Sequence, residues 1–151
     1  MNVIKLKQEP AIEFYTIDAS KPVYLPFVGD LSHGFPLPSD DYMVRLISLD
    51  EHLVKHLDAT IYGKVKGHSM KDAGLQEGDV LIIDRSLKVE NGEVGIFRID
   101  GDILCKRLKI YDDRVELHPE NKRFKPMVFD NNSLPTDFLA IGRVTYVIKK
   151  I

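Results

Sequence analysis

The sequence predicts a mainly β protein, built as a compact, strongly bent sheet or partial barrel with an extended N-terminal arm and one short helix. Short runs rich in β-branched and aromatic residues recur from Thr60 onward, with turn residues between them. The pair Asp100-Gly101 separates two of these runs and is typical of a tight hairpin. Five prolines before residue 42 interrupt regular structure in the N-terminal part.

The composition fits one globular domain with an appendage. The chain has 151 residues, of which 44% are hydrophobic, and this is enough to bury one core. Its 21 basic and 23 acidic side chains give a formal net charge of -2. No large basic field is therefore available to hold a phosphate backbone, and direct sequence-specific DNA binding is not expected.

Cysteine usage and hydropathy favour a cytoplasmic location. Cys105 is the single cysteine, so it cannot form an internal disulfide, and its apolar neighbours favour a buried thiol. No apolar run approaches the ~18 residues of a membrane span, and the residues after Met1 lack the hydrophobic stretch of a secretory signal. We expect a cytoplasmic protein with no membrane contact, no cofactor and no bound metal.

Residues 1–41 form the predicted arm, and residues 42–151 form the predicted β domain. The prolines of the arm are Pro10, Pro22, Pro26, Pro36 and Pro38. Because proline lacks a backbone donor and restricts the preceding residue, we expect the arm to lie along a surface and not to supply a central strand. A flexible tail is the alternative interpretation.

A short helix is expected directly after the arm. Ser48 and Glu51 have the spacing of a capping box, and leucines follow one turn apart, so the pattern predicts a helix that ends near Asp58. His52 and His56 would share a face at metal-ligand spacing. Because no third ligand is evident, we interpret them as solvent-facing residues.

The remainder of the domain is predicted as short strands. The β-type runs are residues 60–65, 80–83, 93–99, 102–108, 115–118 and 139–148. Asp100-Gly101 suits a two-residue type I′ turn between the third and fourth runs. Asp79 and Asp84 bracket the second run, and we assign Asp79 to the preceding turn and Asp84 to the strand end instead of to a catalytic carboxylate pair.

Lys106 is the first candidate for chemistry. On a strand it shares a face with Leu104 and Leu108, and burial of that face would disfavour the ammonium form and lower its pKa from ~10.4. A neutral amine could then act as a general base. In the alternative interpretation the leucines cover only the stem and the amine reaches water.

Ser69 is the second candidate. It lies in Gly67-His68-Ser69-Met70, between a predicted strand and a predicted helical turn, where a hydroxyl is exposed and backbone amides can bind an oxyanion. Glycine before serine is common in loops, so the motif alone is weak. His68 has no evident acidic partner for a Ser/His/Asp arrangement, and we interpret it as a flanking residue.

Together, several ordered motifs resemble the UmuD/LexA family of self-cleaving serine/lysine peptidases, and its UmuD branch most closely. The similarity runs from about Gly34 to the C-terminus. The residues that carry it are Gly34-Phe35-Pro36-Leu37-Pro38, Asp41-Tyr42, Gly67-His68-Ser69-Met70, Gly78-Asp79-Val80-Leu81-Ile82, Asp100-Gly101 and Lys106-Arg107-Leu108. The resemblance implies a partial barrel of the LexA/signal-peptidase type, with Ser69 as nucleophile, Lys106 as base and self-cleavage between His33 and Gly34.

The resemblance also implies a pathway. Self-cleavage would be stimulated by a RecA filament on single-stranded DNA, and the trimmed homodimer would serve a UmuC-type polymerase in error-prone translesion synthesis during the SOS response. In the family a small residue usually precedes the glycine at the cut, whereas this chain has His33.

Three other interpretations were weighed. A LexA-type repressor fragment is disfavoured because residues 1–33 are interrupted by prolines and lack a recognition helix. A signal peptidase is disfavoured by the missing membrane anchor. A non-catalytic dimeric polymerase or RecA adaptor remains possible if His33 prevents cleavage, although both candidate catalytic residues are present.

Overall fold

The fold is mainly β, as predicted. The computed structural model describes residues 2–8, 12–18, 20, 22–27, 45–66, 75–119 and 125–151. In chain order the strands are β1 (Asn2–Gln8), β2 (Ile12–Asp18), β3 (Tyr24–Phe27), β4 (Arg45–Ser48), β5 (Thr60–Val65), β6 (Val80–Asp84), β7 (Val94–Ile99), β8 (Asp102–Ile110), β9 (Arg114–His118), β10 (Met127–Asp130) and β11 (Leu139–Ile148). All six strands predicted from the sequence are present, and β10 was not predicted.

Nine of the described strands form one antiparallel sheet, in the order β1-β2-β5-β6-β11-β7-β8-β9-β10. β3 and β4 form a separate antiparallel pair. Register shifts within β1 and β11 mark irregularities of the kind that bend a strand. Since β1 and β10 stand at opposite ends of the order, the sheet is open, which agrees with the predicted bent sheet or partial barrel.

Both faces of the sheet are covered. The main core consists of Ile12, Phe14, Ile61, Val65, Leu75, Leu81, Ile83, Ile96, Ile103 and Cys105. A second core consists of Val89, Phe97, Ile99, Leu108 and Leu117, with Leu104 among the partly buried residues packed on it. Cys105 is therefore a buried small hydrophobe, as the sequence predicted.

The N-terminal part differs from the prediction. β2 lies between β1 and β5, so it is an interior strand, and Ile12 is fully buried. The expectation that residues 1–41 contain no central strand is therefore wrong. Pro10 and Pro22 fall outside the bounds of β1 and β2, so neither strand loses a ladder donor, and Pro26 belongs to the separate β3–β4 pair. The division at residue 41 as a functional boundary stays a prediction.

The short helix is shorter than expected. The α-helix α1 spans Leu49–Leu53, and a 3₁₀ helix follows at Leu57–Ala59. Ser48 occupies the N-cap position, but its hydroxyl makes no capping hydrogen bond. The helix stops because the β-branched Val54 is extended, with φ -103° and ψ 112°. Neither described helix has the length and apolar character needed to cross a bilayer.

The predicted type I′ turn at Asp100-Gly101 is confirmed by positive φ angles of 49° and 82°. Asp137 holds this turn, because its carboxylate accepts hydrogen bonds from the amides of Asp100 at 2.8 Å and Gly101 at 2.7 Å. The Gly101 and Asp100 amides together hold the pKa of the Asp137 carboxyl below its usual value. Folding is thus linked to the ionisation of Asp137.

We expect Asp137→Asn to lower the melting temperature at neutral pH, because the amide offers one acceptor oxygen in place of two. A lowered pKa in the folded state stabilises the protein above the ordinary carboxyl pKa, and this contribution is lost as pH falls through the folded-state value. The difference from wild type should therefore shrink toward pH ~3. Thermal unfolding followed by circular dichroism measures it, with the exposed Asp112→Asn as control. An equally large difference in melting temperature at neutral pH and at pH ~3 would contradict a stabilising role for the ionised Asp137 carboxylate.

Candidate active site

Lys106 lies in the middle of β8 and is buried, with only 8% of the residue exposed. Its neighbours at two-residue spacing, Leu104 and Leu108, both pack in the second core, so the three side chains share one face. The shared face predicted from this spacing is confirmed, and the residue is buried. The role of Lys106 as a base stays a prediction.

The strand beside β8 provides room at this position. Gly95 of β7 is the register partner of Lys106, so the two residues face the same side of the sheet. A Cβ atom at Gly95 would lie 2.7 Å from Val89 Cγ2 and 3.1 Å from Phe97 Cζ. A side chain at Gly95 would therefore force Val89 or Phe97 to shift.

We expect Gly95→Ala to lower the free energy of unfolding by about 1–3 kcal/mol, because the added methyl group overlaps the Val89 side chain. Urea denaturation measures the loss. The double variant with Val89→Ala should recover part of it, since that change removes the methyl groups that the new Cβ would meet. Equal stability of wild type and Gly95→Ala would show that β7 can adjust without strain.

Ser69 and its neighbours Gly67, His68 and Met70 lie outside the described residues, and so do His33 and Gly34. Their predicted roles as nucleophile and cleavage site stay predictions. What the structure describes is the chain on either side of each segment.

Backbone hydrogen bonds join the chain on either side of the Ser69 segment, and Leu75 lies beside Cys105 of β8, whose side chain is on the opposite face of the strand from that of Lys106. Val65, at the end of β5, donates its amide to the Asp79 carbonyl at 2.9 Å and accepts the Gly78 amide at 2.9 Å. Val65 and Leu75 both belong to the main core together with Cys105, the residue before Lys106. Leu75 and Cys105 also line one cavity of about 190 Å³. Val65, before the Ser69 segment, and Leu75, after it, therefore lie in the same core.

His52 and His56 are both exposed, as the sequence predicted, but they do not share a helix face. α1 ends before His56, whose Nδ1 lies 2.6 Å from Asp84 Oδ2. His56 is half-exposed but engaged by this buried carboxylate. His56 and Asp84 are 28 positions apart in the sequence, and no local pattern could have indicated their contact. Within the described part of the chain, no three His, Cys, Asp or Glu side chains cluster as metal ligands.

Asp79 and Asp84 have structural roles, as the sequence predicted. The Asp79 carboxylate accepts the Gln76 amide at 3.0 Å in the turn before β6 and pairs with Lys149. Asp84 ends β6 and accepts hydrogen bonds from the Ser86 hydroxyl and amide. Burial alone would raise the pKa of the Asp84 carboxyl, but the hydrogen bonds from Ser86 and His56 lower it overall.

One family model matches a stretch of the sequence that contains all the candidate site residues. A family model described as Peptidase S24-like matches residues 26–145. The matched range begins within β3 and ends within β11. It includes Ser69, Lys106, His33 and Gly34, so it covers every position to which the sequence assigned a catalytic or substrate role. β1 and β2 precede it.

Proposed function

The chain belongs to the Peptidase S24-like family, and from this premise we propose that it is a serine peptidase that cleaves its own backbone between His33 and Gly34. The observation that carries the proposal is the buried Lys106, which lies on a leucine-lined face of a sheet within the family match. Burial disfavours the ammonium form, and a neutral amine is what a base for serine requires.

The proposed reaction has two steps. The neutral Lys106 amine accepts the Ser69 hydroxyl proton, and Ser69 Oγ attacks the carbonyl carbon of His33. The bond to the Gly34 nitrogen then breaks, and that nitrogen takes the proton from Lys106. Lys106 then takes a proton from water, and the water oxygen attacks the ester carbonyl carbon. The bond to Ser69 Oγ breaks, Lys106 returns the proton to Ser69 Oγ, and the carboxylic acid formed on His33 gives its proton to the new amino group of Gly34. The reaction consumes one water and needs neither metal nor cofactor.

We place the reaction in the SOS response, as the resemblance to the UmuD branch implies. RecA on single-stranded DNA would stimulate the cut, and the processed homodimer would assist a UmuC-type translesion polymerase in the cytoplasm. Tyr146 and Ile148, two residues apart at the end of β11, are each more than a third exposed and offer apolar side chains to a second copy. The formal charge of -2 fits protein partners better than direct DNA binding.

A non-catalytic adaptor is the second candidate, and His33 is the observation that favours it. In the resembling family a small residue usually occupies this position, and a larger polar one could hinder entry of the scissile bond. A LexA-type repressor fragment finds no specific support in the described structure.

Incubation of the purified protein at mildly alkaline pH, with and without a RecA filament, tests the proposal. We expect mass spectrometry to detect a new fragment that begins at Gly34, and Ser69→Ala should abolish it. His33→Ala should accelerate the cut if the imidazole is the obstacle. Absence of the fragment under every condition, including from His33→Ala, would favour the adaptor.

A further inference from the structure

We propose that the cut is a nick: residues 1–33 stay bound to residues 34–151 as a noncovalent subunit, and their removal is a separate step. The inference rests on the proposed cleavage position. It deepens the proposed function by identifying the chain's own N-terminal segment as the ligand of the β5 edge.

Each of the two sheets contains strands from both sides of the proposed cleavage site. β1, β2 and β3 precede residue 33, whereas β5, the partner of β2, and β4, the partner of β3, follow residue 34. β2 pairs with β5 from Ile12↔Val65 to Thr16↔Ile61, and β3 pairs with β4 from Tyr24↔Ser48 to Phe27↔Arg45. Hydrolysis of one bond in the intervening segment removes none of these backbone hydrogen bonds.

Core packing holds β2 more firmly than pairing alone. Ile12 and Phe14 are 0% and 6% exposed and belong to the main core, alongside side chains from β5 and β6. Gly63 is the register partner of Phe14, and a Cβ there would come within 3.1 Å of Ile12 Cγ2. Because Gly63 has no side chain, the β1–β2 hairpin packs closely against β5. Its release would expose two large apolar side chains and the core surface that they cover.

An ion pair between a buried carboxylate and a partly exposed lysine joins the two sides of the same boundary. Glu13 is 7% exposed, and its carboxylate lies 3.2 Å from the Lys66 amine, just beyond the end of β5. The Tyr15 hydroxyl donates to the same carboxylate. Across the second sheet, the Tyr24 hydroxyl donates to Glu51 at 3.0 Å. The Glu13–Lys66 and Tyr24–Glu51 contacts each join residues from opposite sides of the cut, whereas the Tyr15–Glu13 contact lies within the N-terminal segment.

The consequence is a two-stage event. The nicked protein keeps its sheet, and loss of residues 1–33 would uncover the edge of β5 as an acceptor for another extended strand. A partner protein that binds only after residues 1–33 are removed would therefore respond to their dissociation from β5. Hydrolysis of the bond would not by itself be enough.

A full-length Ser69→Ala chain with the recognition sequence of a highly specific added protease inserted between His33 and Gly34 tests the proposal. The added protease makes the nick whether or not the protein cleaves itself, so failure of self-cleavage cannot be mistaken for failure of this inference. We expect the two pieces to elute together in size-exclusion chromatography and to give one mass in native mass spectrometry. In urea they should separate. Free peptide in buffer after complete nicking would overturn the proposal.

Phe14→Ala in the same chain should increase dissociation of the peptide about a hundredfold, because a buried aromatic side chain is lost from the boundary. Thr16→Ala, on the same strand and only partly buried, is the matched control and should change it much less. Circular dichroism of the uncut variants verifies folding, and Lys66→Ala provides a milder probe if Phe14→Ala does not fold. Equal retention in wild type, Phe14→Ala and Lys66→Ala would exclude these contacts as the cause.

Discussion

Lys106→Met is expected to reduce self-cleavage at least about 100-fold while leaving the sheet folded, because the proton acceptor is lost and the buried stem is kept. Methionine is unbranched and apolar, so it can fill the space between Leu104 and Leu108 without burying a new polar group. Lys106→Arg should be equally inactive, since a guanidinium group does not deprotonate in proteins. The fragment that begins at Gly34, quantified over time by mass spectrometry, measures both effects.

Lys109→Met is the matched control for this pair. Lys109 lies on the same strand and is only partly buried, with Glu116 as its register partner on β9. The same substitution there removes the same positive charge from β8, so a general electrostatic effect would appear in both variants. We expect wild-type cleavage from Lys109→Met. Cleavage at the wild-type rate by folded Lys106→Met would contradict the proposed base.

Where side-chain alternation and turn chemistry act locally, the sequence was sufficient to predict the structure. The spacing of Leu104, Lys106 and Leu108 predicted a shared face, and Asp100-Gly101 predicted the turn. The capping box predicted the start of α1 but not its end, because the extended backbone at Val54 interrupts the leucine pattern on which the longer helix depended.

The errors concern tertiary pairing. The prolines of the N-terminal part led to the prediction of no central strand, although they fall outside β2, which is rich in β-branched and aromatic residues. The contact of His56 with Asp84 depends on how the chain brings the start of β5 beside the end of β6, which no local pattern records. β10 has only four residues, and its place beside β9 is likewise a result of pairing.

Self-cleavage without RecA is expected to accelerate with pH, by about tenfold for each pH unit below the pKa of the Lys106 ammonium group, and then to level off. The reason is that only the neutral amine can accept the Ser69 proton, and its fraction rises tenfold for each pH unit in that range. Initial rates of fragment formation between neutral pH and pH ~10 measure this dependence.

Two other described groups, Tyr62 and Asp84, do not explain such a rise. Burial, aided by the charge of Asp50, raises the pKa of Tyr62 to about 12, so this phenol stays neutral over the range. The Asp84 carboxyl has a lowered pKa and is already ionised at its start. Circular dichroism at each pH separates catalysis from unfolding, and Ser69→Ala gives the background. A rate that does not change with pH in the folded protein would mean that loss of a proton from Lys106 does not control the cut.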